Sequence, residues 1–112
     1  MKRGEIWWAS LGEPRGAEPG YRRPVVVISS NDFNKSKINT VIVAVVTSNL
    51  RLCDAPGNFL ISKKESGLSK DSVVNVSQLL TLDKSFLVDK AGRMPSKKLV
   101  ALEEGLKLVL SI

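Results

Sequence analysis

Two unbroken apolar runs stand out along this chain, Val25-Val26-Val27-Ile28 and Val41-Ile42-Val43-Ala44-Val45-Val46. Short, β-branched runs with polar ends read as strands buried on both faces. The first predicts a strand over 24–29. It is entered through Arg22-Arg23-Pro24. A proline is tolerated at a strand's first residue, where a missing N–H matters least, and it biases Arg23 toward an extended backbone. The second run predicts a central strand over 41–46. Residues 4–11 alternate and carry Trp7 and Trp8, which a strand sends to opposite faces. One is expected in the core, the other at an interface or under a loop. Further strands are predicted over 58–62, 72–80 and 86–90. In the middle one, Val74 and Val76 would face inward, with Val73, Asn75 and Ser77 outward. Residues 12–23, rich in Gly and Pro, form a long loop, and such loops are often functional. Residues 30–34 read as a turn capping a short helical turn through Lys37. Residues 51–57 read as a loop and 63–71 as a polar turn. Ser96 is placed as the N-cap of a C-terminal helix with Leu99, Leu102, Leu106 and Val109 on one face. Gly105 weakens that helix by about 1 kcal/mol relative to alanine, and Lys97 and Lys98 oppose its dipole. The helix must therefore depend on packing against the sheet. The expected fold is mainly β, a small β-barrel with helical additions.

The chain has 112 residues, which suits one domain spanning 1–112. No run is long enough to cross a bilayer, and no signal-like segment follows Met1–Glu5, so a cytoplasmic protein without membrane contact is expected. The lone Cys53 excludes an internal disulfide framework and fits a reducing compartment. It has no histidine to activate it and reads as an incidental thiol. Lysine and arginine outnumber the acids 17 to 11, a net charge of +6, which favours a polyanionic partner. There is no histidine at all. That excludes histidine acid–base catalysis, a Ser-His-Asp triad and histidine metal sites. The acidic residues do not cluster as hard-metal ligands, so neither metal nor other cofactor is expected.

Two places combine chemistry with rigidity. Arg23 holds a guanidinium at the mouth of a core strand, suited to an anionic group or to a surface ion pair. Thr47-Ser48-Asn49 ends the second core strand; these groups either cap a turn or form a hydroxyl cluster at the sheet's rim.

Four motifs in order resemble the MazF/PemK/Kid family of toxin endoribonucleases. They are Arg3-Gly4-Glu5-Ile6-Trp7; Gly16, Glu18, Arg23 and Pro24 in G-x-E-x-x-x-x-R-P spacing, running on into Val25–Ile28; Val45-Val46-Thr47-Ser48; and Asp71-Ser72-Val73-Val74 with Gln78-Leu79-Leu80-Thr81-Leu82-Asp83-Lys84. The resemblance implies an SH3-like barrel of the CcdB/Kid/MazF kind, a homodimer that cleaves single-stranded RNA at a short sequence and is neutralised by a small acidic antitoxin. DNA would be bound only through the antitoxin complex. Arg23 and Thr47 match the family's catalytic pair, and Glu18 a nearby acidic residue important in some members. The Kid branch's histidine has no counterpart here.

Metal-free RNA cleavage uses the ribose 2′-OH as internal nucleophile, leaving a 2′,3′-cyclic phosphate and a 5′-OH. Arg23 can donate its fork to phosphate oxygens, and Thr47 a hydroxyl. A guanidinium suits charge stabilisation better than proton transfer. Glu18 either accepts the 2′-OH proton or orients Arg22 or Arg23. Reading a sequence requires contacts to unpaired bases. Ser48, Ser77 and Gln78 are candidates for hydrogen bonds and Tyr21 for stacking; Phe33 fits core filling better. Arg15, Arg22, Lys35 and Lys37 are candidate phosphate contacts. Two other readings remain open: a protein-targeting toxin like the gyrase poison CcdB, and a non-catalytic RNA-binding barrel.

Overall fold

The computed structural model describes residues 1–13, 16–17 and 21–112. Six strands make one antiparallel sheet: β1 (Glu5–Ser10), β2 (Arg22–Val27), β3 (Thr40–Thr47), β4 (Phe59–Ile61), β5 (Ser72–Asp83) and β6 (Leu87–Arg93). Their order is β4-β5-β3-β2-β1-β6. The expected small barrel is thus a curled six-stranded half-barrel. Three helices accompany it: α1 (Asn31–Lys35), α2 (Lys63–Ser66) and α3 (Ser96–Leu110). Among the described residues no helix is long and apolar enough to cross a membrane.

The continuous apolar runs have a simple cause: both faces of the sheet are covered. Val26, Ala44, Val46, Val74 and Val76 share one core with Ile6, Met94 and Leu102 of α3. Val25, Val27, Val41 and Val43 share a second with Ala9, Leu82 and Leu87. Each buried valine or leucine contributes about 1.5–3 kcal/mol, so an interruption in either run would be costly. The two tryptophans split as their alternation requires. Trp8 packs on the first core and Trp7 on the second, and both remain half-buried.

The N-terminal strand is fixed by a buried carboxylate. Glu5 accepts hydrogen bonds from Lys2 N at 2.9 Å and Trp7 Nε1 at 3.1 Å, and pairs with Lys90 Nζ at 2.9 Å. Burial alone would raise its pKa; the Lys2, Lys90 and Trp7 donors outweigh burial and hold it at about 2.

Four expectations need correction. The polar turn at 63–71 contains the helix α2, started by a capping box in which Ser62 accepts from Glu65 N and Glu65 accepts from Ser62 N. Pro95, not Ser96, is the N-cap of α3, and it offers no side-chain cap. β5 runs to Asp83, and Val73 and Asn75 are buried, not outward, because α3 and the 3₁₀ turn Leu50–Asp54 both pack against this strand. Gly105 is not a mere weak point in α3. It lies buried against Gly57, where an added Cβ would stand 2.4 Å from the Gly57 carbonyl oxygen. The missing side chain lets the helix lie on the 57–58 segment. The rest of its apolar face behaves as the spacing predicts, with Leu99, Leu102 and Leu106 on the core and Val109 39% exposed at the helix end.

Candidate active site

Strand register puts the two principal candidates at one end of the sheet. β2 pairs with β3 through Val25↔Val45, Val26↔Ala44 and Val27↔Val43. Continued by two residues, this register sets Arg23 opposite Thr47. Arg23 is also paired with Ala9 of β1, and Thr47 with Val73 of β5. Cross-strand partners share a face. Arg23 and Thr47 therefore project from the face that carries Ala9, Val25 and Val43, at the end where β2 begins and β3 stops.

The hydroxyl of Thr47 is oriented locally. Its Oγ1 accepts from Asn49 N at 3.1 Å, so an acceptor site is already used and the O–H remains to donate. Arg22 is held from two sides. Its Nη2 pairs with Asp89 at 2.8 Å, and its guanidinium lies over the Trp8 ring, 4.5 Å from the centroid, a cation–π geometry. Its neighbour Tyr21 has φ of 59°, a left-handed conformation that costs an ordinary residue about 1–2 kcal/mol. Tyr21 N donates to Gly12 O and Tyr21 O accepts from Leu11 N at 2.8 Å, closing the long loop at its base and leaving the ring 65% exposed.

Arg22, Arg23 and Ser48 line a cleft of about 310 Å³ together with Trp8, Ser69, Lys70 and Ser72. The cleft opens on the first-core side, with Trp8 and Val46; Arg23 borders it from the strand mouth, and Thr47 is not in its lining. Its cations and hydroxyls suit the oxygens of a phosphodiester. Lys70, Ser69 and Ser72 were not among the candidates read from sequence. Their strand start is visible as Asp71-Ser72-Val73-Val74, but only the sheet's curl carries it to Arg23.

Ser77 and Gln78 occupy an irregularity in β5. Val45 pairs with Asn75, and the next residue of β3, Ala44, pairs with Leu79. Val76, Ser77 and Gln78 thus have no counterpart on β3, and they bulge from the ladder. Gln78 Nε2 reaches Ala17 O of the long loop at 3.4 Å. Lys35 and Lys37 are exposed at α1, beyond the other end of β2 and β3, so the fold does not bring them to Arg23. Phe33 belongs to the α1 turn, where its N–H is capped by Ser30 Oγ at 3.1 Å. Glu18 and Arg15 lie outside the described residues. Among the described residues no three of Cys, Asp and Glu come together as ligands for a metal ion.

A half-barrel with a cationic cleft at the mouth of its central strands is a small β protein with a site suited to an anionic group. Comparisons narrow the class. The family of PemK-like, MazF-like toxins of type II toxin–antitoxin systems matches residues 2–110. Endoribonuclease MazF6 of Mycobacterium tuberculosis is 44% identical over 112 residues, covering 100% of this chain and 98% of the relative. Endoribonuclease MazF of Staphylococcus epidermidis is 35% identical over the same span, with 92% of its own length covered. The fold is shared with a mycobacterial endoribonuclease solved in complex with its cognate antitoxin (TM-score 0.82, 20% identity, 100% and 96% of the two chains covered). It is also shared with MazF of Deinococcus radiodurans (TM-score 0.81, 22% identity, 100% and 97% covered). The chain belongs to the MazF/PemK-like toxin family, as an endoribonuclease of a type II toxin–antitoxin system.

Proposed function

We propose that this protein cleaves single-stranded RNA at a short sequence without a metal ion, by attack of the ribose 2′-OH on the adjacent phosphorus. What supports the reading is the β2–β3 register, which, continued two residues past Val25↔Val45, sets Arg23 opposite Thr47, at the strand end bordered by a cleft lined by Arg22, Arg23, Lys70 and Ser48. A guanidinium fork and a hydroxyl on one rigid rung can donate together to the non-bridging oxygens as charge builds in the phosphorane. Fixing the phosphate also favours in-line attack by its neighbouring hydroxyl. The chain has no histidine, so proton transfer falls to a carboxylate or to water, and Glu18 is the residue to test as base. Tyr21, Arg15, Ser77 and Gln78 would hold the flanking nucleotides, with Lys35 and Lys37 as more distant phosphate contacts.

The partner side of the reading is a homodimer in a reducing cytoplasm, neutralised by an acidic antitoxin segment laid over the same cationic surface. DNA would be engaged only through the antitoxin. Val100, Leu108, Leu110 and Ile112 leave apolar surface exposed at α3 and the C-terminus, which supports a self-complementary contact there.

The test is incubation of purified protein with a long RNA in EDTA. Discrete fragments ending in 2′,3′-cyclic phosphate and 5′-OH are expected. RNA retention without cutting would point to a binding barrel, and neither outcome would leave a protein-targeting toxin. Arg23→Ala should lower the single-turnover rate by a few hundred-fold, about 3–4 kcal/mol, with a smaller loss of affinity. Arg23→Lys should also be poor because an ammonium loses the fork. If Arg23→Ala cut at the normal rate once saturated, Arg23 would be a docking residue.

A further inference from the structure

Arg22 and Arg23 are neighbours on an extended strand and so point to opposite faces of the sheet. Arg23 lies on the face of Val25 and Thr47. Arg22 lies on the other, with Trp8 and Asp89, and strand register explains why. Trp8 of β1 is paired on one side with Pro24 of β2 and on the other with Asp89 of β6. Arg22 is paired with Ser10, two residues beyond Trp8 and therefore on the Trp8 face. From there its long side chain runs back over the indole, with the guanidinium 4.5 Å from the ring centroid. It reaches Asp89, where Nη2 donates to Oδ2 at 2.8 Å. Three adjacent strands thus contribute one residue each to a single stack.

Stability does not account for this arrangement. Both partners of the ion pair are more than half exposed, and such pairs add little to folding. What the stack does is fix a side chain. The indole face sets the plane of the guanidinium, and Asp89 sets its rotation in that plane. Asp89 takes a single one of the five N–H donors, and among the described residues Arg22 makes no other hydrogen bond. Arg22 lines the cleft beside Lys70 and Ser48, whereas Asp89 does not. The carboxylate therefore grips the fork from outside the cleft and leaves the remaining donors to a ligand inside it. An arginine free in solvent gives up its rotamers when it takes a phosphate; here they are given up on folding.

We infer that Trp8 and Asp89 are positioning residues acting through Arg22, which they hold ready for a backbone phosphate of single-stranded RNA other than the one being cut. This rests on the RNA-cleavage reading above, in which Arg23 and Thr47 take the reacting phosphate. Asp89 then has a role opposite to its charge. An acid beside a polyanion site repels the ligand, yet this one aids its binding.

The experiment is a double-mutant cycle of Asp89→Ala and Arg22→Ala. RNA affinity is read by fluorescence anisotropy, with a labelled single-stranded RNA that carries deoxyribose at its mapped cut and so lacks the nucleophile. The single-turnover rate is read on the all-ribose RNA at saturation. Asp89→Ala should weaken binding by about three- to tenfold, the cost of ordering one rotamer-rich side chain, with the loss in affinity and not in the saturated rate. By charge alone Asp89→Ala would tighten binding, so the sign decides. In the Arg22→Ala background it should no longer weaken binding. Asp89→Asn, which keeps an oxygen for Nη2, should recover part of the loss. Trp8→Leu changes no charge and should weaken binding in the same direction. Because Asp89 is exposed, its variants carry the test even if Trp8→Leu folds poorly. Unchanged or tighter binding by Asp89→Ala would overturn the inference, as would an equal weakening with Arg22 absent, or a loss confined to the saturated rate. A wild type that cuts no RNA would instead remove the nuclease reading, and this one with it.

Discussion

Replacing Gly105 with alanine is the substitution for which sequence and structure predict opposite signs. By helix propensity alone, Gly105→Ala in the middle of α3 should stabilise the protein by about 1 kcal/mol. The packing reverses this. The new Cβ would lie 2.4 Å from the Gly57 carbonyl oxygen, 3.2 Å from its carbon and 3.3 Å from Val76 Cγ1. Carbon–oxygen contacts settle at about 3.3–3.6 Å, so α3 or the Gly57 segment must retreat by about 1 Å. Neither partner is a flexible side-chain tip. Gly57 is itself held at φ +83°, with Val76 and Val109 methyls close on its own open side. A retreat of α3 loosens Leu102 and Leu106 on the first core. Overpacking of this kind costs about 1–3 kcal/mol, occasionally more. After the propensity gain the net should be destabilisation of about 1–2 kcal/mol. At this chain length that lowers Tm by about 4 °C per kcal/mol. The assay is thermal unfolding followed by far-ultraviolet circular dichroism, at one fixed protein concentration because self-association shifts Tm. Glu104→Ala, at an exposed charged position in the same helix, is the control and should change Tm little. If Gly105→Ala melts at or above wild type, the close approach of α3 to Gly57 is not what holds this helix in place.

Glu5, held at a pKa of about 2 against an ordinary 4.5, supplies stability that is fully present above pH 4.5 and is lost as pH falls toward 2. The shift corresponds to about 3 kcal/mol at neutral pH, so denaturant titrations should show wild type weakening steeply across that window and Glu5→Gln, already weaker at pH 7, changing less. Lys70→Ala should reduce RNA affinity and flatten its dependence on salt by about one unit of slope, whereas Lys35→Ala, at the other end of the strands, should change both less; binding isotherms at several salt concentrations decide this. Thr47→Ser should keep most of the single-turnover cleavage rate by keeping the hydroxyl, and Thr47→Ala should lose it without losing the fold, a split read by quenched-flow cleavage beside a melting curve.

Strand ends were the part of the site most legible in the sequence. Arg23 and Thr47 flank apolar runs whose length and β-branching specify strands, and antiparallel pairing of those strands puts both residues at the same end of the sheet. The capping box of α2 was also written in the chain, as Ser62-Lys63-Lys64-Glu65, and a reading of polarity alone passed over it. Other features were not local. Alternation placed Asn75 outward because a strand with one wet face would do so, yet the turn at Leu50–Asp54 covers that face. The Asn75 hydrogen bonds run to Asn58 and Ser77, at a bulge that no period-2 pattern announces. Gly105 is likewise intelligible only beside Gly57, which lies far off in the chain.

The pairing of β1 bears on when this protein becomes competent. One neighbour of β1 is β2, made soon after it. The other is β6, where Glu5 faces Arg93, nearly the whole length of the chain away. Contacts so distant in sequence form late, since the loop they close is long. β6 also carries Asp89, the partner of Arg22, and the helix that covers the sheet follows it. A chain still attached to the ribosome therefore has the Arg23 strand but neither its clamp nor its cover. Synthesis must therefore pass β6 before the strand that carries Arg22 gains the partner that holds it.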